Sequence, residues 1–74
     1  MERYYNRSGK PSGAIGYEIG PEYLIVTLND GHSYKYSNES CGADVVEKMT
    51  MCALDQFGLH SYIIMNAPVY EWKH

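Results

Sequence analysis

The sequence predicts an α+β fold: a three-stranded antiparallel meander packed by one long helix, then a short helix and a C-terminal tail. Three observations lead to this prediction. Residues 14–37 contain three short runs of strand character separated by turn residues. Residues 42–58 carry apolar side chains at helical spacing. Residues 60–66 form a shorter apolar segment that Pro68 would stop.

The first predicted strand, AIGYEIG at residues 14–20, alternates so that Ile15, Tyr17 and Ile19 share one face. Gly20 and Pro21 end it. The second strand, EYLIVTLN at residues 22–29, is rich in β-branched and aromatic residues, and HSYKYS at residues 32–37 is the third.

The turn between the second and third strands decides where two tyrosines point. A two-residue loop would place Lys35 beside the apolar side chains of the second strand. A three-residue loop, Asn29-Asp30-Gly31, instead pairs Leu28 with His32, Val26 with Tyr34 and Leu24 with Tyr36. This register puts all the apolar side chains on one face and uses Gly31 as a bulge glycine with positive φ. We therefore predict that Tyr34 and Tyr36 lie on the core face.

The long helix is predicted over GADVVEKMTMCALDQFG, residues 42–58. Ser40 or Asp44 could cap its start, and Gly58 is predicted to end it. Its core stripe consists of Val46, Met49, Ala53 and Phe57, with Val45 and Cys52 at the edges.

Length and composition predict one small domain, residues 14–74, preceded by a flexible arm at residues 1–13. With two unpaired cysteines and no apolar stretch of signal or transmembrane length, we expect a soluble, cytoplasmic protein without membrane association. The charge is uneven. The first ten residues hold three basic side chains and one acidic one, a balance of +2, while the rest hold three lysines and eight acids, a balance of −5. Because a phosphate-binding domain normally carries a clustered excess of Lys and Arg, this pattern argues against nucleic-acid binding by the body of the domain.

The sequence contains no recognisable catalytic arrangement. It has no nucleophile elbow, no glycine-rich phosphate loop and no paired-carboxylate motif. Cys52 and His60 are the only formal nucleophile–base pair, and Cys52 lies beside the apolar helix stripe, where a thiol is usually inert. The histidines and cysteines are scattered rather than spaced as metal ligands. We expect no enzyme activity, no metal, no cofactor and no small-molecule substrate.

An ordered set of motifs over residues 14–66 points to one family. The matching positions are Gly16, Tyr17, Glu18, Leu24, Val26, Gly31, Tyr34, Tyr36, Gly58, Leu59, His60 and Ile63. This pattern resembles the KTSC domain, a module named for the C-terminus of some lysyl-tRNA synthetases that also occurs as a stand-alone bacterial and phage protein. The resemblance implies a small domain for which RNA binding has been suggested. Where the family usually carries Lys or Arg, this chain has Ile64-Met65, which weakens that implication.

Two functions from different classes follow. The leading hypothesis is binding of a protein partner, or self-association, through an apolar C-terminal surface, and the resemblance suggests a phage-borne inhibitor or adaptor as its setting. The residues predicted to form that surface are Ile64, Met65, Tyr70, Trp72 and His60. The alternative is RNA or single-strand binding. Its predicted residues are Tyr34, Tyr36 and Lys35 on the domain, with Arg3, Arg7 and Lys10 on the arm.

Overall fold

The structure is a computed structural model that describes residues 2–4 and 13–74. It confirms the α+β class, with five antiparallel strands within these residues in place of the predicted three. Along the sheet, the strands follow chain order: β1 (Glu2–Arg3), β2 (Ala14–Gly20), β3 (Tyr23–Leu28), β4 (Ser33–Ser37) and β5 (Trp72–Lys73). The helices are α1 (Asn38–Cys41), α2 (Ala43–Asp55) and α3 (Leu59–Asn66).

The core lies between one face of the sheet and the helices. We call the sheet face toward the helices the inner face and the opposite one the outer face. Leu24 and Val26 of β3 are fully buried, as are Met49 of α2 and Leu59 of α3. Since directly paired residues of antiparallel strands share a face, the register defines both faces.

The predicted hairpin register is confirmed. Leu24 pairs with Tyr36, and Val26 pairs with Tyr34. In the turn, the amide of Gly31 donates to the Leu28 carbonyl at 3.0 Å. Gly31 has a φ of 90°, in the left-handed region that favours glycine, as the three-residue loop requires. The turn residues and the alternation of apolar side chains therefore predicted the register of the central hairpin correctly.

The prediction for the first strand was wrong at one residue. A β-bulge lies between Ala14 and Gly16 in the pairing of β2 with β3. The extra residue breaks the alternation, so Ile15 is exposed while Tyr17 is buried on the inner face.

The turn between β2 and β3 consists of Pro21 and Glu22. Glu22 has a φ of 65°, which is unusual for a residue with a side chain. Its carbonyl accepts a hydrogen bond of 3.0 Å from the amide of Asn38, which links this turn to the start of α1.

The predicted arm over residues 1–13 is corrected where the structure describes it. Glu2 pairs with Tyr17 and Arg3 with Gly16, so β1 extends the sheet. Tyr4 is only 5% exposed and belongs to the core. The remaining residues of the arm, Met1 and residues 5–12, lie outside the described residues.

The start of the helical region also differs from the prediction. A separate helical turn, α1, is capped by Ser37. The Ser37 hydroxyl accepts from the Ser40 amide at 3.1 Å, and the Ser40 hydroxyl accepts from the Ser37 amide at 3.0 Å. This reciprocal pair is a capping box, here with serine in place of the usual Glu or Gln. α2 then begins after Gly42, so neither Ser40 nor Asp44 caps it by a side chain.

The end of α2 comes earlier than predicted. Gln56 adopts a left-handed conformation with a φ of 55° and ends the helix, so Gly58 instead precedes α3. Val46, Met49 and Ala53 are buried as expected. Phe57 lies beyond the last turn and is exposed.

The C-terminal tail forms a strand. Lys73 pairs with Tyr34 and Trp72 with Lys35, so β5 covers the free edge of β4. The amide of His74 donates to the Ser33 carbonyl at 2.8 Å, which continues this pairing.

Candidate partner-binding surfaces

The two tyrosines of the alternative hypothesis face the core. Tyr36 is only 2% exposed, and burial raises its pKa to about 12. The Tyr34 ring is half-buried and packs against Tyr36, with centroids 6.4 Å apart, and against Tyr70 at 5.1 Å. The Tyr70 ring also contacts Tyr36, at 6.5 Å. These three rings contact one another, so Tyr36 cannot stack on a nucleotide base.

Lys35 lies on the outer face, away from these rings. Its ammonium is 3.0 Å from a Glu71 carboxylate oxygen and 4.7 Å from the centroid of the Tyr23 ring. The hydrogen bond from Lys35 is the main reason that the pKa of Glu71 is lowered. A pocket of about 150 Å³ lies here, and its lining also includes the acidic residues Glu22 and Glu39. Since drug-sized ligands occupy roughly 300–1,000 Å³ and phosphates require positive charge, this pocket suits neither.

Of the predicted basic arm, the structure places only Arg3, which is exposed on β1. Arg7 and Lys10 lie outside the described residues. The geometry therefore does not bring Lys35, Tyr34 and Tyr36 together as one binding face.

The predicted protein-binding residues of α3 are exposed. Ile64 is 66% exposed and Met65 is 84% exposed, while Val69 just beyond the helix is also exposed. We call Ile64, Met65 and Val69 the α3 surface. The other side of the helix packs through Leu59, which is buried, and through Tyr62 and Ile63, which lie against the core. A helix that is apolar all round normally buries its whole circumference, and α3 buries only one side.

Tyr70 and Trp72 do not form one patch with α3. The Tyr70 ring packs on the inner-face tyrosines, whereas Trp72 pairs with Lys35 and lies on the outer face. The sequence-based grouping of Trp72 with the α3 residues is therefore corrected, because its pairing with Lys35 places it on the outer face, while Tyr70 lies before β5 begins.

His60 is the second residue of α3 and is half-buried. Its imidazole lies against the backbone of Gly13, where a Cβ atom would collide with the ring. This packing places His60 at the joint between α3 and the start of β2, and not among the exposed residues of the α3 surface.

Both thiols are half-buried. Burial raises the pKa of Cys41 and of Cys52, which favours the protonated thiol over the nucleophilic thiolate. The Cys41 thiol donates to the Ser37 carbonyl at 3.5 Å.

A second apolar surface was not predicted. Met51 is 62% exposed and Leu54 is 64% exposed, on the side of α2 opposite its buried stripe. Two grooves meet at Leu54: one of about 450 Å³ extends to Ile19 of β2, and one of about 590 Å³ extends to Met51 and Phe57. We call Ile19, Met51, Leu54 and Phe57 the α2 surface. Its signal in the sequence is the i, i+3 spacing of Met51 and Leu54, which places them together and away from Val46, Met49 and Ala53.

Comparisons of the chain with protein-family models, curated proteins and solved structures gave no match. Within residues 2–4 and 13–74, no group of three or more His, Cys, Asp or Glu side chains converges as metal ligands. No helix in the same residues is long and apolar enough to cross a membrane. The KTSC resemblance therefore stays a prediction.

Proposed function

We propose that this protein is a small, non-catalytic binding module that acts by binding a protein partner through the α3 surface. The observation that carries the proposal is the exposure of Ile64 and Met65 on a helix whose opposite side is part of the core. Burying one such side chain is worth about 1.5–3 kcal/mol, so two or three of them can contribute much of the free energy of binding. Interface cores combine apolar contact of this kind with few charges.

The non-catalytic part of the proposal is supported by the two cysteines. Their raised pKa values keep both thiols protonated near neutral pH, and the Cys41 thiol donates its hydrogen bond to a backbone carbonyl, that of Ser37. A protonated, half-buried thiol is a poor nucleophile.

Nucleic-acid binding has weaker support. The Tyr36 ring is buried, and Lys35 is already paired with Glu71. Outside the first ten residues the charge is −5, as the sequence gives it, which opposes binding to phosphates. A role as a phage-borne inhibitor or adaptor rests on the family resemblance alone.

The proposal can be tested with the full chain carrying an affinity tag. Wild type, Ile64→Asp and Leu54→Asp are used to capture proteins from host lysate, each with and without nuclease. Leu54→Asp is the matched control, because Leu54 is as exposed as Ile64 but lies on α2. We expect a stoichiometric protein that survives nuclease, that wild type and Leu54→Asp retain, and that Ile64→Asp loses by at least tenfold. Circular dichroism should show all three folded, since neither side chain is buried.

Three outcomes would overturn the proposal. Capture that is unchanged in Ile64→Asp would remove the α3 surface from binding. Loss in Leu54→Asp alone would move the partner to α2. Recovery of RNA alone, or loss of all partners after nuclease, would favour the nucleic-acid alternative. Sedimentation velocity of the purified chain separates self-association from binding of a different protein.

A further inference from the structure

A groove of about 410 Å³ opens beside the α3 surface. Its lining consists of Ser40, Cys41 and Val45 of the first two helices, and of residues 66–69. We call this cavity the α3 groove. Val69 belongs both to the α3 groove and to the α3 surface, so the two are continuous. Since an apolar cavity of about 150 Å³ already holds benzene, the α3 groove has room for a long side chain.

The way in which α3 ends produces this groove. The amide of Ala67 donates to the Ile63 carbonyl at 2.9 Å, and Ala67 itself has a φ of 43°, in the left-handed region. This conformation turns the chain away from the helix axis, and Pro68 cannot continue a helix. Residues 67–69 therefore line a groove with the first two helices and do not lengthen α3.

A projecting side chain lies next to this cavity. Of the large apolar side chains that the structure describes, Met65 is the most exposed, at 84%. It directly precedes the residues that line the α3 groove. Methionine is unbranched and flexible, so it fits irregular cavities well. A surface that carries both a projection and a cavity can be matched by a copy of itself, because a two-fold axis brings each projection to the cavity of the other copy.

The absence of charge in this region selects among occupants. The sequence has no Asp, Glu, Lys or Arg from Gln56 to Tyr70, and none lines the α3 groove among the described residues. Nucleic acid, an anionic membrane or a charged peptide would find no opposite charge here. A second copy brings an equally uncharged surface, so no like charges meet and no charge has to be buried.

We propose that the partner of the α3 surface is a second copy of this chain, and that the two copies form a two-fold symmetric dimer. Met65 of each copy enters the α3 groove of the other, while Ile64 and Val69 pack around it. This inference rests on the proposed function, because it names the partner of the same surface. Stable interfaces bury roughly 800 Å² on each partner, about a sixth of the 4642 Å² that one chain exposes, so the contact extends over the whole α3 surface.

The first measurement is sedimentation equilibrium of the purified full chain over a range of protein concentrations and ionic strengths. We expect a mass that approaches twice the 8.4 kDa of one chain. Because no charges meet in the contact and each copy carries a net charge of −3, higher ionic strength should leave the dissociation constant unchanged or lower it. A chain that stays monomeric up to millimolar concentration, or a dimer that salt dissociates, overturns the proposal.

Paired variants test the exchange of Met65 between the copies. Met65→Lys should weaken the dimer at least tenfold, because its ammonium would enter an uncharged cavity, and Val69→Asp should do the same by placing a carboxylate there. In an equimolar mixture, the introduced ammonium meets the introduced carboxylate, while the unchanged Met65 enters the unchanged groove. The mixed dimer should therefore form at least tenfold more tightly than either variant alone, and a mixture that associates no better contradicts the two-fold exchange. Leu54→Asp, as exposed as Val69 but on α2, is the control and should change the dissociation constant less than twofold.

Cys41 gives an independent report on the α3 groove. It lines that groove, whereas Cys52 lines a groove of the α2 surface. Because Met65 of the second copy covers Cys41, alkylation of Cys41 by N-ethylmaleimide should be at least threefold slower in wild type than in Met65→Lys. Alkylation of Cys52 should be equal in both, and peptide mass spectrometry measures the two rates. Equal rates at Cys41 would remove the α3 groove from the contact and refute the proposal.

The results separate failure of the dimer from failure of the proposed function. A monomeric wild type that captures a different protein, with capture lost in Ile64→Asp, overturns the dimer alone. A monomeric wild type whose capture is unchanged in Ile64→Asp overturns both. A dimer that Met65→Lys and Ile64→Asp leave intact has its contact away from α3, which overturns the inference, and capture from lysate then decides the proposed function separately.

Discussion

Substitution of Tyr4 gives the clearest test of how the N-terminal residues contribute to the stability of the fold. Its side chain is almost fully buried, and its hydroxyl accepts a hydrogen bond of 3.2 Å from the amide of Leu59, the first residue of α3. The first amides of a helix have no partner within the helix, and Leu59 is itself fully buried. Tyr4 therefore links β1 to the start of α3, two elements at opposite ends of the sequence.

Two substitutions separate the parts of this contribution. Tyr4→Phe removes the acceptor and leaves a buried N–H without a partner, which costs about 1–3 kcal/mol. Tyr4→Ala also removes the ring, including its edge contact with Tyr17 at a centroid distance of 6.5 Å. Removal of a buried aromatic ring costs about 3–5 kcal/mol. For a domain of this size, the second substitution removes much of the total stability.

The assay is urea unfolding followed by circular dichroism, with the free energy of unfolding taken from the midpoint and slope. Tyr70→Phe is the control, because Tyr70 is exposed and its ring contacts survive the change. We expect the order wild type and Tyr70→Phe, then Tyr4→Phe, then Tyr4→Ala. A Tyr4→Ala variant within about 0.5 kcal/mol of wild type would refute the reasoning, since surface changes give effects of that size. Such a result would also favour the prediction that residues 2–4 belong to a flexible arm.

Two further predictions concern stability. Ser37→Ala should lower the free energy of unfolding by about 1 kcal/mol, because it removes the cap of α1. The control Ser61→Ala, at an exposed position, should change that free energy by less than about 0.5 kcal/mol. Equal urea midpoints for the two variants would contradict the capping role. Stability should fall as the pH rises from 10 toward 12, because the unfolded chain releases the Tyr36 proton near the ordinary pKa of 10.0 while the folded chain holds it to about 12. Unfolding titrations over this range should give a smaller fall for Tyr36→Phe than for wild type, and identical slopes would show that Tyr36 is not the cause.

The parts of the fold that sequence predicted correctly are local. The hairpin of β3 and β4 depends on residues within a few positions of Gly31, so turn chemistry and alternation suffice to set its register. The buried stripe of α2 likewise depends on spacing within one helix.

The parts that sequence missed depend on distant contacts. β1 and β5 have two residues each, too few to display any periodicity, and their pairing is set by strands far along the chain. For this reason Trp72 was grouped with the α3 residues, whereas its pairing with Lys35 places it on the outer face. Phe57 was assigned to the core because apolar spacing continues past Asp55, while the left-handed Gln56 ends the helix.

The distribution of exposed side chains separates the two sides of this domain. On the outer face, polar side chains are paired with one another: the hydroxyls of Thr27 and Ser33 are 2.8 Å apart, and Lys35 is paired with Glu71. On the helical side, Met51 and Leu54 of α2, like Ile64 and Met65 of α3, are exposed. A small domain cannot bury every apolar residue, but shortage of core volume alone gives no reason for large apolar side chains to collect on the outside of the helices. This asymmetry favours the helical layer, and not the open sheet face, as the side that meets a partner.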